Sequence, residues 1–147
     1  MFGLTGVTRK LRKMAERADN LDPVWPRVGD DVADAMLNQF KTKGALGGRP
    51  WAPLKPEYRA WKVKHGLSPE ILIATGDMRD SLTDRPMQVE RYEGRSAVFG
   101  TRDPKYKFHH YGTRFMPQRR VVKMVPGLEK QIADRLRAYV FDGEIKP

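Results

Sequence analysis

The chain has no cysteine, which excludes disulfide staples and thiolate metal sites and permits assembly in a reducing compartment. It has no apolar run near the roughly 20 residues that a membrane span needs. Its opening residues, Met-Phe-Gly-Leu-Thr-Gly, carry no apolar secretory core. These absences give the expectation of a soluble intracellular product without membrane contact. Histidine is scarce, and two of the three, His109 and His110, are adjacent. Neighbouring side chains point apart on a strand or a helix, so the pair is ill placed to share one metal. Ser68, Ser81 and Ser96 stand alone, outside any Gly-x-Ser-x-Gly elbow. With no Walker, dinucleotide or His-Glu-x-x-His pattern either, the chain reads as a non-enzyme with no cofactor, catalytic residue or metal site.

What is present is basic charge, unevenly placed. The formal net charge is +10 over 147 residues. Residues 41–65 hold seven Lys or Arg against Glu57, and residues 101–123 hold seven against Asp103. The basicity is therefore regional, which suits contact with nucleic acid or with an acidic protein surface. A solvated cationic face that keeps the chain soluble is the plainer alternative. The length fits one domain, 1–147, with its own core.

Along the chain, Leu4, Val7, Leu11, Met14, Ala18 and Leu21 recur at 3–4 spacing, predicting an amphipathic helix over 5–20 whose narrow seam packs on another helix of the chain. Asp22-Pro23 reads as the N-cap and first position of a second helix, 23–43, with Val28, Val32, Met36 and Phe40 on its core face and Gly44 at its end. The first two helices thus occupy 4–43. Three glycines and a proline make 44–50 the expected mobile loop. Pro56 starts a short helix on which Tyr58 and Trp61 share a face. Such a face commonly docks on the core, and the alternative is stacking on bases. Ile71-Leu72-Ile73 reads as a short buried strand or extended run, and Thr75 as the N-cap of a turn carrying Met78 and Leu82. The acidic pair Asp30-Asp31 reads as complementing a helix dipole.

A hairpin is predicted from 87–92 and 95–100 around Glu93-Gly94. A short helical or irregular crossing at 104–111, a strand at 121–125 and a terminal helix over 126–142, striped by Leu128, Ile132, Leu136 and Val140 and ended by Gly143, complete the order. The hairpin and motif region spans 86–125. Together these predict an α+β fold: a small antiparallel sheet packed against two or three longer helices.

The stretch 97–122 concentrates aromatic, basic, glycine and proline residues. It holds Phe99-Gly-Thr101, Tyr106 to Thr113 with His109-His110-Tyr111-Gly112, and Met116-Pro-x-Arg119. Together with Trp51-x-Pro-Leu, Tyr58 followed by Lys62, and Ile71 to Leu82, these pieces resemble the phage virion morphogenesis family, the Mu-type tail completion proteins, over roughly 35–125. The chain departs from the family's habit at Lys107, His110, Arg120 and Val121. The resemblance implies a structural virion protein of the neck or upper tail, assembled in the host cytoplasm as a sixfold homo-oligomeric ring that joins tail to head. Its partners would be copies of itself and other neck, connector or tail-tube proteins, with packaged DNA nearby. An assembly interface is expected at Trp51, Tyr106, His109, His110, Arg114, Arg119 and Arg120. Pro117 stiffens the turn between these arginines, and a guanidinium held on a stiff turn is suited to bidentate pairing with a carboxylate. The alternatives are a basic nucleic-acid-binding regulator and a small hydrolase or nuclease using His109 or His110.

Overall fold

The computed structural model describes residues 2–146. Its elements are α1 (Phe2–Asp19), α2 (Trp25–Lys41), a 3-10 turn (Ala45–Gly47), α3 (Pro56–Lys64), α4 (Asp77–Thr83), β1 (Val89–Glu93), β2 (Ser96–Gly100), α5 (Tyr106–Tyr111) and α6 (Leu128–Asp142). The α+β class holds: one antiparallel hairpin packs on a helical body. No helix among the described residues is long and apolar enough to cross a membrane.

α2 is the spine. Its Val28, Met36 and Phe40 are buried in three successive core clusters, and with half-buried Val32 they recur every fourth residue along one helical face. Fully burying each such side chain stabilises the fold by about 1.5–3 kcal/mol. At one end Val24, Trp25 and Val28 meet the hairpin's Tyr92, Ala97 and Phe99 and α6's Leu136. In the middle Ala35 and Met36 meet Val125 and Leu128. At the far end Phe40 packs edge-on against Trp51, 5.4 Å between ring centres, beside Met78, Leu82 and Val121.

Several local features differ from expectation. α2 starts at Trp25, with Val24 at the N-cap position and no side-chain cap. Asp22 instead accepts the Gly94 N–H at 2.9 Å, and Gly94 O accepts both the Leu21 N–H and the Trp25 indole at 3.0 Å. The residues before α2 are thus used to staple it to the hairpin turn. At α4 the N-cap is Gly76, at φ 109°, while the Thr75 hydroxyl donates to Asp77. Neither 71–73 nor 121–125 forms a strand. The Ile73 and Glu70 carbonyls are taken by the Lys62 ammonium and the Arg120 carbonyl by the Trp51 indole, so side chains supply donors that a neighbouring strand would otherwise offer. The hairpin pairs Val89 with Gly100 and Glu93 with Ser96, leaving Met87 buried but outside the ladder.

Among its described side chains, α1 packs through the C-terminal half only. Arg17 donates to the Val140 carbonyl of α6 at 3.2 Å, and Met14 and Ala18 are half-buried. Leu4, Val7 and Leu11 on the same seam are 75, 58 and 60% exposed. The intrachain partner expected for the whole seam is therefore present for its second half alone.

Residues 44–50 contain the 3-10 turn, with Gly47 buried. Gln39 Oε1 accepts the Gly47 N–H at 2.9 Å, and Lys123 donates to the Gly47 carbonyl. Gly44, at φ 83°, lets the chain double back so that the Trp51 N–H reaches Lys43 O. A Cβ there would lie 2.5 Å from the Trp51 ring.

Candidate assembly surface and its cavity

The 97–122 stretch folds as most of β2, then α5 and a tight corner. Gly112 leaves the helix at φ 76°, where a Cβ would sit 2.9 Å from the Gln118 backbone nitrogen. Thr113 and Met116 exchange backbone hydrogen bonds, and the Thr113 hydroxyl accepts the Phe115 and Met116 N–H groups. The returning chain of the corner is tied to α5 where the Arg119 N–H meets His109 O at 2.8 Å. The expected stiffness of this turn thus has a hydrogen-bonded basis, and Arg114 with Phe115 stands at its tip. Phe115 is 84% exposed with the Arg114 guanidinium over its ring, and Tyr111 and Phe108 are exposed nearby in sequence.

Beneath the corner lies a cavity of about 470 Å³. Its walls come from α3 (Tyr58, Lys62), the irregular run before α4 (Leu72, Ile73), α5 (His109) and the corner itself (Met116). Arg119 and Lys62 both reach this cavity, yet both are buried, 6 and 3% exposed. Arg119 donates to Ala52 O at 2.7 Å and to Pro53 O at 3.2 Å, and Lys62 to Glu70 O at 2.7 Å and Ile73 O at 2.6 Å. Carbonyl dipoles thus hold both cations. Burial lowers the affinity of each for its proton, with nearby Glu70 partly offsetting this at Lys62.

The two histidines separate as their adjacency requires. His110 Nδ1 lies 3.1 Å from the Tyr106 hydroxyl, with the rings 5.0 Å apart. His109 faces the cavity, and its buried Nδ1 has no hydrogen-bond partner. Burial, then the Arg119 charge, holds the His109 imidazole below its ordinary value of 6.5; burial, then Arg120, does the same for His110. Burial likewise raises the Tyr106 phenol. Among the described residues no cluster of three His, Cys, Asp or Glu side chains is placed to hold a metal ion.

Of the seven residues expected at an interface, the structure gathers Tyr106, His109, His110, Arg114, Arg119 and Arg120 on α5 and its corner, and puts Trp51 behind them in the core. Arg114 and Arg120 are exposed, whereas Trp51 and Arg119 are interior to the fold and shape the surface from below. Phe115 and Lys62, which also line the cavity, stand outside that expected set. Phe115 was legible as the apolar residue before Met116-Pro117; a buried lysine has no local signature. α3 also differs from expectation, because its aromatic face is not docked on the core. Tyr58 and Trp61 are about half exposed and stack at 5.8 Å, with His65 stacked 4.2 Å beyond. Lys62 is the residue that α3 buries.

No curated protein and no solved structure was found to match the chain. A family model does match, and over more of the sequence than the quoted motifs span: it covers residues 3–140, from the first turn of α1 nearly to the end of α6. The chain belongs to the phage virion morphogenesis family.

Proposed function

We propose that this virion assembly protein is a non-catalytic subunit of the neck or upper tail, which joins copies of itself into a sixfold ring around the DNA passage and contacts other connector or tail-tube proteins. The observation that carries this reading is the exposed half of the α1 seam. Leu4, Val7 and Leu11 continue the apolar stripe that Met14 and Ala18 bury against the body, and a contiguous apolar face left open on a small chain marks a protein contact. The exposed Phe115–Arg114 tip supplies a second surface well away from that seam in sequence. Two different surfaces on one subunit are what a head-to-tail contact requires, and such contacts close into rings when the rotation permits. Native mass spectrometry tests it: the wild-type chain is expected to give a closed oligomer, and Leu4→Ser/Val7→Ser/Leu11→Ser a folded monomer. A wild-type chain that is monomeric at every concentration would exclude the ring.

A nucleic-acid contact has one observation in its favour, the solvent-exposed Tyr58–Trp61–His65 stack beside Arg59 and Lys64. Aromatic faces next to cations can stack on bases. On that reading the purified chain binds nucleic acid with an affinity that falls steeply with salt.

A further inference from the structure

The cavity under the corner holds two buried cations with no carboxylate to pair them. Lys62 and Arg119 spend their hydrogen bonds on carbonyl oxygens, and neither makes an ion pair among the described residues. The Glu70 carboxylate, near Lys62, is engaged by Lys43 at 2.9 Å. The two acids on the cavity wall have local partners: Asp77 accepts from the Thr75 hydroxyl and Asp103 from the Lys105 N–H. Lys55 and Lys105 also line the cavity, so its cations outnumber its carboxylates. A buried charge without a counter-charge is costly, and an entering carboxylate relieves that cost. The rest of the wall is apolar, with Leu54, Leu72, Ile73 and Met116 among the lining residues. His109 adds a buried ring nitrogen without a partner. The chemistry that fits is a carboxylate beside an aliphatic side chain.

The chain carries that pair itself. After Gly143 ends α6 at φ 75°, Glu144 and Ile145 lie exposed on the surface. The segment lines no part of its own subunit's cavity. The cationic α1 face suits the cavity less, since Arg9, Lys10, Arg12 and Lys13 would meet like charge. We propose that the cavity receives residues 143–146 of a neighbouring copy, with the Glu144 carboxylate facing Lys62 and Arg119 and the Ile145 side chain against the apolar wall. The proposal rests on the ring reading for the presence of that neighbour, and it adds to the α1 seam a second contact between one subunit and the next.

The test uses the full chain carrying Glu144→Gln, a surface change that leaves the fold intact and weakens its own segment as a competitor. Into it is titrated an acetylated, amidated peptide of residues 140–146. Saturable one-to-one binding is expected, with shifts of the His109 ring and Met116 methyl resonances, and the Glu144→Gln peptide should bind at least tenfold more weakly. Equal affinity of the two peptides, or binding without those shifts, overturns the proposal. The ring is read separately by native mass spectrometry. Rings that form equally well in wild type and Glu144→Gln overturn the tail contact and leave the ring standing. A wild-type chain that stays monomeric yet binds the peptide at the cavity overturns the ring and upholds the cavity's chemistry.

Discussion

Asp31 on α2 and Arg135 on α6 form a buried two-pronged ion pair that clamps the spine to the terminal helix. Arg135 Nη2 donates to Asp31 Oδ1 at 2.9 Å while Nε donates to Oδ2, and Gln131 donates to Oδ1 at 2.7 Å. The Asp31 carboxylate holds the guanidinium even more firmly protonated than usual. The dipole role expected for Asp30-Asp31 is therefore minor at Asp31, which reaches across to another helix.

Asp31→Ala leaves a largely buried guanidinium without its carboxylate. Breaking such a pair from one side costs about 3 kcal/mol or more, so the urea midpoint should fall well below wild type. Asp31→Asn keeps one acceptor oxygen and should cost less. Equal midpoints for Asp31→Ala and wild type would show that the pair is energetically idle.

Gly112→Ala places a methyl against the Gln118 backbone at a positive φ. Relief requires the corner to open, because backbone atoms cannot swing aside as a side-chain end can. The strain is on the order of 1–3 kcal/mol, and the expected outcome is a lower melting temperature with assembly lost before folding. Gly66→Ala is the control, since its added Cβ meets nothing within 4 Å although its φ is also positive. It should be milder.

The α+β class and the helix order were legible because they follow from apolar periodicity, which Val28, Met36 and Phe40 or Leu128 and Ile132 declare locally. The residues 121–125 show where that signal stops. Val121 and Val125 are buried as a strand's would be, but whether a ladder partner exists is a property of the whole fold. Site residues divide the same way. The Met116-Pro117 turn was readable from its own residues, whereas the burial of Lys62 and Arg119 depends on carbonyls contributed by other segments. Sequence spacing tells where a cation is, and only packing tells whether water reaches it.

His109 makes stability pH-dependent. Its folded-state proton affinity is lowered, so below its ordinary value of 6.5 the unfolded chain binds a proton that the folded chain resists. Stability rises with pH wherever the unfolded state binds more protons, so it should fall as pH drops below about 6.5 and level off once the folded imidazole is protonated. Arg119, Lys105 and Lys62 oppose that protonation and Asp103 favours it. His109→Gln should flatten the part of the pH 5–7.5 profile due to this ring, leaving the contribution of His110. An unchanged profile would remove His109 from the account. Neither His109→Ala nor His110→Ala is expected to abolish any catalytic activity.

Residues 44–50 should be more protected from amide exchange in the assembled particle than in the free subunit. Within the subunit the Gly47 amide is the anchor, because Gln39 holds it from a fully buried position. Gln39→Ala strands that buried donor at about 1–3 kcal/mol and should speed exchange at Gly47 ahead of its neighbours. Equal exchange of the segment in free and assembled protein would place it away from any contact.

Arg114, Arg119 and Arg120 flank one turn yet should respond differently to alanine. Arg119 is interior, and its guanidinium satisfies the Ala52 and Pro53 carbonyls, so Arg119→Ala loses two charge-assisted hydrogen bonds and leaves acceptors unpaired. Bonds to charged groups contribute about 1.5–3 kcal/mol each, and the substitution should destabilise the isolated subunit. Arg114 and Arg120 are exposed, where single changes usually alter stability by about 0.5 kcal/mol or less. The double variant Arg114→Ala/Arg120→Ala should therefore melt like wild type. Its defect should appear only in particles, as heads and tails left unjoined, since guanidinium forks on a stiff corner favour bidentate contact with carboxylates of a neighbour. A double variant that yields fully joined, infectious particles would assign both arginines to solvent. A double variant that unfolds would mean that the corner depends on them from outside as it depends on Arg119 from within.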